Sequence, residues 1–169
     1  GNVYLKNTKT GKESNVNSDL IFATDGAFSA VRYNAMQKKD RFEFSQKYIQ
    51  DGYRELLLPA NEDGSYKLDK NSLHIWPRGR FMLIALPNED GSFTCTIFML
   101  YEGDNNSFEN LKTNVQVNDF FKGTFPDFYE MMPDVAETWN DYPLSSLAII
   151  RCYPWSYGKT VLMGDAAHA

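Results

Sequence analysis

The strongest constraint on this chain is the run from Leu73 to Leu100, LHIWPRGRFMLIALPNEDGSFTCTIFML, which concentrates aromatic, aliphatic and β-branched residues between stretches of turn chemistry. LHIW, RFMLIAL and SFTCTIFM read as three strands, separated by Pro77-Arg78-Gly79 and by Pro87-Asn88-Glu89-Asp90-Gly91. Connections this short join antiparallel neighbours. In the middle strand Met82, Ile84 and Leu86 share one face, while Phe81, Leu83 and Ala85 share the other. A sheet apolar on both faces is expected to be covered on both. The chain's own helices can cover one; a ligand, a cofactor domain or another subunit is left for the other.

Composition supports a packed domain and excludes some partners. The chain has 169 residues, 43% of them hydrophobic, which is ample for a core. A net charge of −5 with no basic stripe argues against nucleic acid. No segment approaches the roughly 18 consecutive apolar residues of a membrane span. Cys95 and Cys152 lie in apolar strand-like contexts, without CxxC spacing or a nearby signal peptide, and fit a reduced, cytoplasmic chain. The two histidines form no metal site: His74 reads as a packed strand residue, and His168 belongs to a chain end expected to fray. No residue is assigned a catalytic role.

In chain order, Asn2 to Leu5 and Ser18 to Ala23 read as strands joined through a polar turn around Lys9-Thr10-Gly11-Lys12. DLIFATDGAFSAVR then passes from strand through Thr24-Asp25-Gly26 into helical spacing at Phe28, Val31 and Ala35. Such a helix start can hold a phosphate, with Gly26 permitting close approach and Ser29 and Arg32 adding donors; the simpler reading is that Asp25 caps the helix and Gly26 turns the chain. Tyr53 to Leu58 is a strand, Arg41 to Tyr48 is unassigned, and Tyr101 to Asn114 reads as polar and exposed. Val115 to Lys122 takes helical spacing with Val117, Phe120 and Phe121 on one side; Pro126 and Pro133 divide the next stretch into short helices, Val135 to Trp139 among them. Leu147 to Tyr153 is a strand, and Thr160 to Met163 is a buried strand ending in Gly164-Asp165. A carboxylate there stands where open α/β sheets bind ligands, with Gly164 letting a ligand approach the backbone, or else it caps a helix. The helix expected to start there has barely begun at Ala169, as for a piece cut from a longer protein.

DLIFATDGAFSAVR and GDAAHA, in this order, resemble the Asp-Gly and Gly-Asp motifs of flavin-dependent aromatic hydroxylases. HIWPR, FMLIALPN and SFTCT resemble the substrate-domain sheet of the branch acting on L-kynurenine, with lesser support from QKYIQDGYREL and FFKGTFPD. The resemblance implies a parent enzyme that uses FAD, NADPH and dioxygen to hydroxylate the kynurenine ring. It places Gly164 and Asp165 at the ribityl chain of FAD, and Asp25, Gly26 and Arg32 near its pyrophosphate and the path of NADPH. It also implies that Leu73, Met82, Ile84, Leu86 and Phe98 line an apolar wall over the substrate ring. Three family features are missing: a GxGxxG turn, an Arg and Tyr that clamp the substrate carboxylate, and a Pro-Phe-Phe-Gly-Gln-Gly loop after GDAAHA. The chain alone is therefore expected to bind FAD weakly or not at all and to be inactive.

The expected fold is α+β, a mixed and largely antiparallel sheet with flanking helices. Residues 1–40 and 151–169 are assigned to the FAD-binding domain and 41–150 to the substrate domain. Two alternatives stand beside this reading. One is a related flavin monooxygenase acting on another aromatic substrate; the other is a non-catalytic module forming a homodimer through its exposed sheet face.

Overall fold

The structure, a computed structural model, describes residues 1–103 and 106–169. Its largest element is a five-stranded sheet. In chain order the strands of the protein are β1 (Asn2–Lys6), β2 (Glu13–Asn17), β3 (Ile21–Ala23), β4 (Glu43–Leu58), β5 (His74–Arg78), β6 (Phe81–Pro87), β7 (Phe93–Leu100), β8 (Leu144–Tyr153), β9 (Ser156–Tyr157) and β10 (Thr160–Leu162). The sheet has the order β5-β6-β7-β4-β8, and β5, β6, β7 and β4 pair antiparallel in turn. The chain divides into two units, Gly1–Tyr48 with Ala148–Ala169, and Ile49–Leu147.

In the 49–147 unit the alternation of the strands builds a one-sided sheet. Leu56, Leu58, Leu83, Ala85, Phe93, Cys95, Ile97 and Met99 are all buried on one face. Helices α1 (Asn114–Thr124), α2 (Pro126–Met131) and α3 (Val135–Thr138) cover it. The start of α1 is fixed by a capping box, in which Thr113 Oγ1 accepts from the Gln116 backbone N–H and Gln116 Oε1 accepts from the Thr113 N–H. Its Val117 and Phe121 are fully buried and Phe120 nearly so, as their spacing predicts. Phe125 closes α1, and Pro126 opens α2 at the position where a missing N–H costs no hydrogen bond. Phe121 then meets Phe125, Phe128 and Trp139 at ring-centroid distances of 5.7 to 5.9 Å. The Trp139 indole N–H donates to the Leu111 carbonyl at 3.1 Å.

The other unit holds a hairpin, β1 with β2, and a small sheet in which β10 lies parallel to β3 and antiparallel to β9. Ala23, Met36, Leu162 and Ala167 form its small core. The α+β class holds: strands dominate, the largest sheet is antiparallel, and helices lie against it.

Several expectations need correction. Glu13–Asn17, expected within a connecting loop, is a strand paired with Asn2–Lys6. Nothing apolar marks it; Asn7 Oδ1 sets the turn by accepting the Lys9 and Thr10 N–H groups. The helix after Asp25-Gly26 begins later than its spacing suggests and winds as a π-helix over Arg32–Met36, leaving Phe28 outside it and 65% exposed. The residues 43–48 left unassigned belong to β4. Phe108 and Leu111, in a segment expected to be exposed, are buried in the core; Asp104 and Asn105 of that segment lie outside the described residues. His168 is not frayed: its N–H donates to the Gly164 carbonyl at 3.0 Å, and its ring lies 5.3 Å from that of Trp155. The central sheet itself needs no such correction: this chain's helices cover one face, and among the described residues the other is left open.

Candidate functional site

The uncovered face of the sheet carries the predicted wall. Register aligns it in ranks across the strands: Pro77, Met82, Phe98 and Tyr53 in one, Ile75, Ile84, Thr96 and Glu55 in the next, and Leu86, Thr94 and Leu57 in a third. Met82 is 39% exposed and Leu86 46%, whereas Leu83 between them is 0% exposed. Ile84 and Phe98 are half-buried, and the Phe98 ring lies 6.1 Å from Tyr53. Leu73 stands exposed just before β5, outside the ladder. A large apolar surface left in water is an unfavourable arrangement that a ligand or partner relieves.

At the end of this wall opens a cleft of about 360 Å³, bordered by Ile49, Pro77, Met82 and Phe98 and by the Arg80–Asp51 ion pair at 3.2 Å. Sequence reasoning singled out neither charge, nor Tyr53, Glu55, Leu57 and Thr96. Alternation in Tyr53-Arg54-Glu55-Leu56-Leu57 was the available signal, since odd positions there share the face opposite Leu56.

At the Asp-Gly turn Asp25 is not the helix N-cap, a position Val31 takes without a side-chain cap; its carboxylate instead braces the turn. Asp25 accepts from the Ser29 hydroxyl at 2.5 Å and from the Val31 N–H at 3.0 Å. Partial burial works to raise its carboxyl, but the bonds from Ser29 and from backbone N–H groups prevail and hold it below its ordinary 3.8. Gly26 has φ +81°, and a Cβ there would meet nothing within 4 Å. Arg32 departs from expectation. It is buried, donating to the Ala166 carbonyl at 2.7 Å and to the Ala27 carbonyl, with Phe44 4.7 Å below its guanidinium. Its side chain is thus a clamp between the Asp-Gly and Gly-Asp segments, rather than a donor presented to a phosphate.

The Gly-Asp segment is the more open of the two. Gly164 has φ +57° and free space where a Cβ would stand, and Asp165 projects exposed from a single 3-10 turn. Cys152 Sγ donates to the Ala167 carbonyl at 3.0 Å. Cys95 is buried in the sheet, and that burial pushes its thiol up to about 12. Among the described residues no group of His, Cys, Asp and Glu is arranged to hold a metal ion, and no helix is long and apolar enough to cross a membrane. His74 has the structural role expected of it, with Nε2 2.9 Å from the Asp69 carbonyl and its ring 5.7 Å from that of Phe93.

No family model matches the chain. Similar structures include 2-methyl-3-hydroxypyridine-5-carboxylic acid oxygenase, 20% identical over 98% of this chain and 42% of that one with a TM-score of 0.64. Tetracycline destructase Tet(51) is similar at 18% identity, over 99% of this chain and 42% of that one, with a TM-score of 0.52. These likenesses concern the fold. In sequence, the chain is 53% identical over 99% of its length to kynurenine 3-monooxygenase of Flavobacterium psychrophilum, and spans 37% of that protein. It is 51% identical over 91% of its length to the enzyme of Dictyostelium discoideum, and 44% identical over 89% to that of Sus scrofa, spanning 33% and 31% of them. By sequence, then, the chain is a relative of the kynurenine 3-monooxygenases, similar to them along nearly its whole length while spanning about a third of theirs.

Proposed function

We propose that the full-length protein is an FAD- and NADPH-dependent monooxygenase that hydroxylates L-kynurenine to 3-hydroxykynurenine, and that this chain contributes the wall of its substrate pocket and part of its flavin site. The observation that carries the reading is the one-sided sheet: helices seal the Phe81, Leu83 and Ala85 face, while the Met82, Ile84 and Leu86 face stays open. A wall of this kind suits an aromatic ring, which is held by contact area and stripped of water.

The residues present fit a flavin. Gly26 and Gly164 leave empty the space that a side chain would fill, and Asp165 is exposed with its carboxylate available to ribityl hydroxyls. When bound, reduced FAD activates dioxygen and supplies the electrophilic oxygen. This chain's residues do the remaining work. Met82, Ile84, Leu86, Phe98 and Leu73 hold the ring and exclude water; Asp25 and Arg32 shape the backbone on which Gly26 and Gly164 are presented. The isolated chain is expected to bind FAD weakly and to be inactive.

Kynurenine-dependent NADPH oxidation by the full-length protein tests the reading. Stimulation with formation of 3-hydroxykynurenine supports it. Stimulation only by a different aromatic compound transfers the assignment to another hydroxylase, and a colourless dimer of the full-length protein without oxidase activity favours the interaction module.

A further inference from the structure

The wall holds one charge without a partner. Glu55 lies in the rank of Thr96, Ile84 and Ile75, with Tyr53 and Leu57 two positions away on the same strand and the same face. It is exposed, and among the described residues its side chain makes no hydrogen bond or ion pair. Asp51, the acid four residues before it on β4, is paired with Arg80. A glutamate on an open strand is ordinarily a solvated surface residue. Here it is set into the surface that a ligand must dehydrate. Covering the wall takes water from the carboxylate, which is strongly unfavourable unless a donor replaces that water.

Resting on the pocket reading above, we infer that Glu55 is the substrate-recognition residue for the ring amine of kynurenine, accepting an N–H bond while the ring lies on Ile84 and Met82. Kynurenine carries its ring amine directly on the aromatic carbon skeleton, beside the ketone. Neighbouring strands lie about 4.8 Å apart, so a ring over Ile84 is about two strand spacings from the β4 backbone. The glutamate side chain can cover part of that distance and the amine projecting from the ring the rest, with only the small Thr96 between. The α-ammonium, three carbons further from the ring, belongs to the other end of the molecule. Such a bond also selects the substrate, because a ligand lacking the amine leaves a dehydrated carboxylate behind.

The test uses the full-length flavoprotein and reads ligand binding from the perturbation of flavin absorbance. Wild type, Glu55→Leu, Glu55→Gln and Met82→Ala are each titrated with L-kynurenine and with β-benzoylalanine, which lacks the ring amine. Glu55→Leu is expected to weaken kynurenine about tenfold, as for loss of a hydrogen bond to a charged acceptor, and to leave β-benzoylalanine unchanged or bound more tightly. Glu55→Gln, retaining an acceptor, is expected to fall between. Equal loss for both ligands overturns the inference, as does no loss for either, the result expected if Glu55 faces solvent or a basic side chain elsewhere in the protein. Failure of the pocket reading is separate: Met82→Ala would then leave both affinities unchanged.

Discussion

Arg32 shows how a residue can serve a motif without touching a ligand. Its two terminal nitrogens tie the Ala27 and Ala166 carbonyls, and among the described residues its Nε has no partner, so a buried cation is held by carbonyls and the Phe44 ring. Lysine's single ammonium lacks the planar fork whose two terminal nitrogens reach these two carbonyls separately. Arg32→Lys is expected to lower stability by about 2 kcal/mol, read as a shift in urea midpoint, through one unpaired buried carbonyl and a poorer ring contact. Asp25 acts on the same turn. Asp25→Ala removes the acceptor of the Ser29 hydroxyl and the Val31 N–H and is expected to cost about 1 kcal/mol near neutral pH. Because the folded carboxyl sits below its ordinary 3.8, the stabilisation is present above that pH and fades as pH falls through the lower folded value. Urea titrations of wild type and Asp25→Ala should therefore converge only in strong acid, with a modest pH-dependent part because the group is exposed. Cys95, its thiol raised to about 12 by burial, stays protonated and covered at pH 8. A thiol reagent should modify it only on unfolding, while the partly exposed Cys152 reacts in the native protein.

At the scale of elements, β6 divides its side chains between two fates. Leu83→Ala is expected to cost about 2 to 5 kcal/mol by opening a cavity under the helices, whereas Met82→Ala, on the open face, should cost less than about 1 kcal/mol. Melting curves of the two variants compare the faces directly. These elements were legible in sequence because alternation and 3.6-residue spacing are imprinted by burial: β6, β7 and the buried side of α1 stand where Met82 to Leu86 and Val117 to Phe121 predicted. The β2 strand was not legible, since Glu13–Asn17 is exposed throughout and is held by backbone pairing that leaves no apolar signature. Phe108 and Leu111 were hidden among polar neighbours, their burial being decided by contacts with Trp139, distant in sequence, besides the ring of nearby Tyr101.

Across the whole molecule, the candidate site was legible in part. Chemical type and order announced the Asp-Gly and Gly-Asp segments, yet which donors remain available there depends on partners far along the chain, and Ala166 lies 134 residues from Arg32. Face sharing on β6 was readable, but the companions of that face on β4 required the register of strands that are not neighbours in sequence. The central claim is that the open face of the sheet is the wall of an aromatic pocket in a kynurenine hydroxylase. Its most direct test is the dependence of NADPH oxidation on L-kynurenine in the full-length protein, measured for wild type and Ile84→Ala. The account predicts saturable stimulation in wild type and a KM raised about tenfold in Ile84→Ala at unchanged melting temperature; oxidation indifferent to kynurenine, or a variant with wild-type KM, would contradict it.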